Sequence, residues 1–456
     1  MTDIKPLVMK FGGTSVRTAE QRQAAVRHVC RAREAGYHPV VVVSAMGRKG
    51  EPYATDTLIS LAEEIGPDMA SREKDMLMAC GEIISTVIMA HLIRHLGNCD
   101  TVALSGGQAG IVTDRKFGAA RILAIDPTRI QRCFRDGTIP VVAGFQGVTR
   151  GAAAHEHGAI TTLGRGGSDT TASALGAAVH AVEVQIFTDV PGIMTADPTI
   201  VPNARTLGTI TYREICEMAH QGAKVLHPRA AEIAMEYGIP LRVLSPMGDG
   251  EGTLIVAEAK VDRTREHGVT GVAHSGAVVP LSMRVEEEYC KPQVERDTLA
   301  RVAAEHISVY FTSDTPETMN FVVDEDVLPT VLNAVENVTL TATDRDGQPR
   351  RFRVARHASS AAADDAIPVQ LHVHPDCVIV SLIGRDLRRV PGVIARAAEA
   401  LEGAGIKILQ VAGSSNCLSC LIREPHKEEA VRRLHQKFHL HLGDEGAGGQ
   451  RPMAGS

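Results

Sequence analysis

The chain has 456 residues, of which 44% are apolar and 22% charged, and its formal net charge is -6. That length accommodates two or three domains with cores of their own, and the composition is ordinary for a globular protein. The negative charge, the lack of a long Lys/Arg block or of any Trp, and an aromatic content of 3% argue against a nucleic-acid surface or a base-stacking platform.

The first residues, MTDIKPLVMKFGG, mix charges and lack the apolar stretch of a signal peptide. No run approaches the roughly 18 apolar residues of a membrane span, so the expected setting is the cytoplasm, with no membrane partner. PLVMKF is a short apolar run ending in Gly12 and Gly13. Thr18 caps a predicted helix to about Ala35, with Val26, Val29 and Cys30 on one face and Gly36 as the stop. PVVVVSAM is an uninterrupted β-branched run of the kind buried on both faces of a parallel sheet. The rhythm then repeats: a long helix through REKDMLMACGEIISTVIMAHLIRHLG, strands at TVALSG and IPVVAGF, a helix at DTTASALGAAVHA, and strands at VEVQIFTDV and PLRVLS. Such alternation predicts an α/β domain with a largely parallel central sheet over residues 1–258, its ligands at the carboxyl ends of the strands.

After about Lys260 the pattern changes to two small α+β modules, 268–370 and 371–443. The first runs from VTGVAHS to NFVVDE, and the second from DCVIVSLIG to CLSCLIRE. RHASSAAADDAIP between them reads as a flexible loop, and 444–456 as a disordered tail. Nine cysteines, an odd and scattered set, fit reduced thiols. Cys417 and Cys420 form a CxxC on a strand, where the two positions face opposite sides of the sheet, so buried thiols are preferred to a metal or redox pair. The pairs His155/His157, His372/His374 and His439/His441 stand in loop or chain-end contexts without supporting ligands and are read as solvated.

Four polar or glycine-bearing turns fall at strand ends: KFGGTS, SAMGRKG, GRGGSD and TDVPGIMTADP. In the first, paired glycines let backbone N–H groups approach an anion, and Lys10 adds a full charge. A plain tight turn is the competing reading. In the third, Arg165 offers a planar fork for a carboxylate beside the Ser168 hydroxyl, with Gly164, Gly166 and Gly167 leaving room. Asp169 opens a helix and has two readings from spacing alone, a site carboxylate or a plain N-cap. Neither a P-loop nor a GxGxxG turn is present.

Taken together, KFGGTSV, VVVVSAMG, ACGEIIST, QAGIVTD, VVAGFQG, TTLGRGGSDTTA, FTDVPGIMTADP, IVPNAR and GAKVLHPRA resemble, in order and spacing, the aspartate kinases of the amino acid kinase superfamily. The resemblance covers residues 7 to about 255. SAMGRKGEPYATD and RVPGVIARAAEALEGAGIKILQ resemble the monofunctional type with two C-terminal ferredoxin-like ACT domains. It implies ATP-dependent phosphorylation of the β-carboxylate of L-aspartate to 4-phospho-L-aspartate, the first step toward lysine (through diaminopimelate), threonine and methionine. The β-carboxylate, with an ordinary pKa of about 3.9, is already ionised near neutral pH. No general base is required, and catalysis reduces to positioning and charge neutralisation.

By that resemblance, Lys10, Gly12 and Gly13 hold the transferring phosphate and Asp169 orients the lysine. Ser44, Thr55, Glu82, Arg165 and Ser168 take the substrate, Glu82 receiving its α-ammonium and Arg165 a carboxylate. Phe11, Thr188, Asp189, Met194, Lys224 and Val225 join Lys10, Gly12 and Gly13 around ATP. Mg2+ is carried by the nucleotide, with no side-chain metal ligands. Two positions depart from the common YTADPR pattern, since Met194 and Thr199 stand where many members have tyrosine and arginine. Without the resemblance, Glu82 reads as an ordinary helix-surface charge.

The second ACT-like module keeps its pattern. The first lacks a Pro-Gly turn and carries an extra segment near 341–370. An amino-acid effector (lysine, threonine or diaminopimelate) and a homo-oligomer paired through these modules are the implied partners. Modules that serve only to pair subunits are the alternative. The rival functions are another amino acid kinase, acting on glutamate, N-acetylglutamate or a nucleoside monophosphate, and a catalytically silent amino-acid sensor. The sensor should lack Lys10, Asp169 or Arg165, and all three are present.

Overall fold

The computed structural model describes residues 4–150, 158–223, 225–258, 268–315, 317–356 and 366–442. It divides into two units, Met1–Thr195 with Ala204–Arg265, and Ala196–Asn203 with Glu266–Ser456. The expected tail and the centre of the loop at RHASSAAADDAIP lie outside the described residues, as do His155 and His157.

The first unit runs β1 (Pro6–Phe11), α1 (Ala19–Glu34), β2 (His38–Val43), α2 (Thr55–Glu63), α3 (Ser71–Gly97), β3 (Thr101–Leu104), β4 (Ile111–Thr113), β5 (Ile122–Ile125), α4 (Thr128–Arg135), β6 (Ile139–Ala143), β7 (Gln146–Thr149), β8 (Ile160–Thr162), α5 (Gly167–Val179), β9 (Glu183–Phe187), β10 (Thr209–Thr211), α6 (Tyr212–His220), α7 (Pro228–Tyr237), β11 (Leu241–Leu244) and β12 (Thr253–Val256). Thr18 caps α1 in a full capping box, its hydroxyl accepting from the Gln21 N–H while the Gln21 side chain accepts from the Thr18 N–H.

Eight strands form the central sheet in the order β10-β12-β11-β9-β1-β2-β6-β3. All six residues of β1 are buried, as an inner strand of a parallel sheet covered on both faces requires. β1 pairs in parallel with β2 and β9, and β2 with β6. The register aligns Phe11 with Val43 and Phe187, and Val43 with Ala143. The carboxyl ends of four strands therefore share one edge. A second sheet, β5-β4-β7-β8, was not anticipated, because its strands are only three or four residues long and carry too few positions to establish a period.

Packing separates the two faces of the central sheet. Leu7, Met9 and Phe11 join Val26 and Val29 of α1 and Met89 and Ile93 of α3 in one core. The Phe11 and Phe187 rings stack at 4.5 Å. Contrary to the expectation of no membrane-length apolar run, α3 is long and apolar enough to cross a bilayer by length and composition, although half of its most apolar window is buried inside the fold. That is the pattern of a core helix, whose apolar residues are consumed by packing.

The second unit contains β13 (Val269–Arg284), α8 (Lys291–Ala304), β14 (Tyr310–Asp314), β15 (Thr318–Asp324), α9 (Leu328–Val335), β16 (Thr339–Thr343), β17 (Pro349–Ala355), β18 (Ile367–Val373), β19 (Cys377–Gly384), α10 (Val393–Glu402), β20 (Gln410–Gly413), β21 (Cys417–Arg423) and α11 (Lys427–Lys437). Its strands join in one nine-stranded sheet with β13 pairing β15, β18 and β19. The extra segment near 341–370 contributes to the β16–β17 hairpin and to β18, and so extends this sheet. Two details differ from expectation. His372 lies in β18 and not in a loop, and Ala196–Asn203 belongs to this unit although it lies inside the kinase-like sequence. Asp197 Oδ2 of that segment is 3.8 Å from His274 Nε2, and Arg432 Nε donates to the Ile200 carbonyl at 3.0 Å. Cys417 and Cys420 are both buried in β21, and burial pushes the Cys420 thiol up to about 11.

Candidate active site

Alternation along β1 sends Leu7, Met9 and Phe11 toward α1, which leaves Lys10 on the opposite face with Val8. α5 covers that face and brings Asp169. The Lys10 Nζ and Asp169 Oδ1 are 2.7 Å apart with side-chain exposures of 11% and 13%. The contact is an ion pair by distance and not an aligned hydrogen bond. Asp169 is the third residue of α5, and Gly166 takes the N-cap position. The plain N-cap reading of Asp169 is thus replaced, because the carboxylate turns to an ammonium on another element.

The turn after β1 is drawn tight. Gly12 N–H donates to the Phe187 carbonyl at 3.2 Å, and Ser44 N–H to the Phe11 carbonyl at 3.1 Å. A Cβ on Gly13 would lie 2.5 Å from the Ala45 carbonyl oxygen, so only glycine lets the two turns meet. The expectation that both glycine amides face an anion needs correcting: the Gly12 amide is occupied by Phe187, whereas that of Gly13 has no such backbone partner among the described residues.

The loop from Leu163 to Gly166 connects β8 to α5, whose second residue is Ser168. Gly166 adopts φ +70°, and any side chain there would collide with the His227 ring packed over it. Arg229 Nη1 donates to the Leu163 carbonyl at 3.4 Å. Arg165 is exposed at the turn, while Ser168 is buried. The N-terminal end of α7 therefore backs the loop, a role that its sequence does not announce.

Glu82 is 3% exposed in α3, which overturns its reading as a surface charge. Its Oε1 accepts from the Ala45 N–H at 3.0 Å, next to Ser44, and its buried Oε2 has no hydrogen-bond partner among the described residues. Burial pushes the carboxyl up to about 8, against the opposing effect of the Ala45 hydrogen bond. Gly81 permits this approach, since a Cβ there would meet the Ala45 Cβ at 2.8 Å and the Tyr53 carbonyl oxygen at 3.0 Å. Thr55, half-buried, begins α2 just beyond Tyr53.

At the end of β9, the Thr188 N–H donates to the Leu244 carbonyl at 2.9 Å and its hydroxyl to Asp189 Oδ1 at 3.3 Å. Asp189 Oδ2 is paired with Arg48 Nη2 at 2.8 Å, joining SAMGRKG to TDVPG across the sheet edge. Met194 forms an isolated bridge with Thr206. The Thr199 hydroxyl and N–H both bond Asp197 Oδ1, in the Ala196–Asn203 segment. Val225 is half-buried, and Lys224 lies outside the described residues. Among the described residues no group of three or more His, Cys, Asp or Glu side chains could hold a metal ion.

Sequence reasoning missed Arg48, Asp75, His227 and Arg229. None has a periodicity or spacing signal, and each acts through a partner distant in the chain.

Residues 5–245 match the amino acid kinase family and residues 380–438 an ACT domain. The chain is 39% identical to aspartokinase 1 of Bacillus subtilis (strain 168) over 440 residues, 96% of this chain and 100% of the relative. It is 37% identical to the aspartokinase of Geobacillus stearothermophilus, covering 95% of this chain and 97% of the relative. Its fold is similar to that of E. coli aspartokinase III solved with aspartate and ADP in the R-state, with a TM-score of 0.72, 24% identity, and coverage of 95% and 99% of the two chains.

Proposed function

The chain belongs to the aspartokinase family, and from that premise we propose that it transfers the γ-phosphoryl group of ATP to the β-carboxylate of L-aspartate. One carboxylate oxygen forms a bond to the γ-phosphorus, the bond from that phosphorus to the β,γ-bridging oxygen breaks, and ADP leaves with the electron pair. The product is 4-phospho-L-aspartate, the entry to the lysine, threonine and methionine branches. The observation that carries this reading is the Lys10–Asp169 pair at the carboxyl edge of the sheet, beside a glycine turn able to admit an anion.

In this reading Lys10 and the Gly13 amide stabilise the charge on the transferring phosphoryl, with Gly12 keeping the turn close. Asp169 touches neither nucleophile nor leaving group and holds the lysine ammonium in place. Arg165 and Ser168 take a carboxylate of aspartate. Glu82, with one oxygen unpartnered among the described residues, takes the α-ammonium alongside Ser44 and Thr55. The arriving cation favours the ionised form of Glu82, so binding releases a proton from it. Phe11, Thr188, Asp189, Met194, Lys224 and Val225 are assigned to the nucleotide side. Mg2+ supplies charge neutralisation on the phosphate oxygens. The domain limits 1–258, 268–370 and 371–443, pairing of chains through the ACT-like modules, and an amino-acid effector there belong to the same proposal. Lysine is the first effector to test, because E. coli aspartokinase III, similar in fold, was solved with lysine and aspartate in a T-state.

The test is Mg-ATP-dependent acyl phosphate formation trapped with hydroxylamine, comparing L-aspartate, L-glutamate and N-acetylglutamate. Each is assayed with and without lysine, threonine or diaminopimelate. Turnover restricted to aspartate supports the proposal. Turnover with another acid, or with none from folded protein, overturns it.

A further inference from the structure

We propose that Asp75 is a positioning residue that sets the spacing between the two groups recognising the amino-acid substrate, by fastening the Arg165 loop to the helix that carries Glu82. This rests on the assignment of Arg165 and Glu82 made above. Asp75 lies in α3 two turns before Glu82, and so on the same side of the helix. It is 1% exposed.

A carboxylate so far from water must find donors or carry a large desolvation cost. Asp75 finds three of them, all on the segments that bracket the loop. Its Oδ1 accepts from the Thr162 hydroxyl at 2.8 Å and its Oδ2 from the Thr162 N–H at 2.8 Å. The Gly118 N–H is shared between the two oxygens at 2.9 and 3.0 Å.

Thr162 is the last residue of β8. Only Leu163 and Gly164 stand between it and Arg165, and the Leu163 N–H is itself fixed on the Phe145 carbonyl at 2.9 Å. From the other side, Ala120 N–H donates to the Thr162 carbonyl at 2.9 Å, and a Cβ on Gly164 would come within 3.2 Å of the Gly118 carbonyl oxygen. The chain is thus fixed to α3 through Thr162, and held by backbone hydrogen bonds as far as Leu163, two residues before Arg165. A well-packed apolar side chain at 75 fills space at lower electrostatic cost, but it cannot orient two N–H groups and a hydroxyl. Arg165 and Glu82 are therefore referred to one rigid helix, which matches a ligand whose carboxylate and ammonium are a fixed distance apart.

The experiment is steady-state kinetics on the full chain for Asp75→Asn, Arg165→Ala and the double variant, varying aspartate and ATP separately. Asp75→Asn should raise the aspartate KM about tenfold, the scale of a sub-ångström misplacement of a binding group, without moving the ATP KM. In the Arg165→Ala background the same substitution should add less than about twofold, because its effect runs through that side chain. Equal effects in both backgrounds, or aspartate and ATP KM values rising together, make Asp75 merely structural and overturn the proposal. Arg165→Ala leaving the aspartate KM unchanged overturns the assignment of Arg165 and the proposal with it. Arg165→Ala raising that KM while Asp75→Asn does not overturns the proposal alone. If Asp75→Asn does not fold, Thr162→Val removes only the hydroxyl donor and should raise the same KM by a smaller factor. No rise there overturns the proposal.

Discussion

The Lys10 ammonium lies 2.7 Å from Asp169 Oδ1 with both side chains almost withdrawn from water, one on the central strand and the other on the helix covering that face. A partly buried pair of this kind is poor evidence of stability, since desolvation offsets much of the attraction. In the proposed reading its value is to hold a positive charge where the transferred phosphoryl group would pass.

Lys10→Ala and Asp169→Ala should each lower kcat by about 100-fold or more, the scale of losing one preorganised charge at a transition state. Hydroxamate formation at saturating aspartate and ATP measures this, with a thermal melt to show that each variant is folded. Wild-type kcat in either folded variant removes the pair from the chemistry.

Arg165→Ala should act on the other parameter. Losing charge-assisted hydrogen bonds worth about 1.5–3 kcal/mol raises the aspartate KM roughly ten- to a hundredfold. The ATP KM should stay within about twofold, since the arginine is assigned no nucleotide contact. An ATP KM that rises alone would place Arg165 on the nucleotide instead.

Glu82 gives a pH signature. Its carboxyl is raised from 4.5 to about 8 in the folded chain. The folded state therefore holds this proton more tightly than the unfolded one, and stability falls as pH rises between those values. The stabilisation is fully present below 4.5 and lost as pH rises through about 8. Relative to Glu82→Gln, the parent protein should lose thermal stability across that window and be parallel to it above. Aspartate binding at pH 7 should also release a proton, which calorimetry in buffers of different ionisation enthalpy detects. A buffer-independent enthalpy would contradict the pairing of Glu82 with the ammonium.

Gly13→Ala and Gly12→Ala should separate sharply. A methyl on Gly13 would meet the Ala45 carbonyl oxygen at 2.5 Å, whereas one on Gly12 stands 3.4 Å from Lys10 Nζ. Overpacking against backbone costs about 1–3 kcal/mol, so Gly13→Ala should lower the melting temperature while Gly12→Ala retains it. Equal melting temperatures would show that the SAMGRKG turn yields.

Arg48→Ala breaks an exposed pair, with Arg48 64% and Asp189 52% accessible. Surface pairs contribute at most about 1 kcal/mol, so the melting temperature should hardly move. A large drop would mean that the pair braces the sheet edge.

What the residues reveal in advance follows from how local each signal is. The capping box at Thr18 and the β-branched run of β2 are properties of neighbouring residues, and both form where the pattern places them. Glycines beside Lys10 and Arg165 mark strand ends for the same reason. Glu82 and Asp75, by contrast, sit in a helix whose apolar residues extend around much of its circumference, so periodicity does not distinguish an inward carboxylate from an outward one. The short strands of the second sheet leave no period to read, and the strands built from 341–370 become visible only when β13 and β17 offer edges for pairing.

By itself the sequence determined the alternation of strands and helices, the turns that carry charge, and the family to which those turns belong, because backbone preference and burial period act over a few residues. Only the tertiary structure decided that Lys10 meets Asp169, that Arg48 meets Asp189, that Asp75 accepts from Thr162 and Gly118, and that the Gly12 amide is taken by Phe187. Those pairings depend on which strand lies beside which, and sheet order is set by the packing of the whole unit.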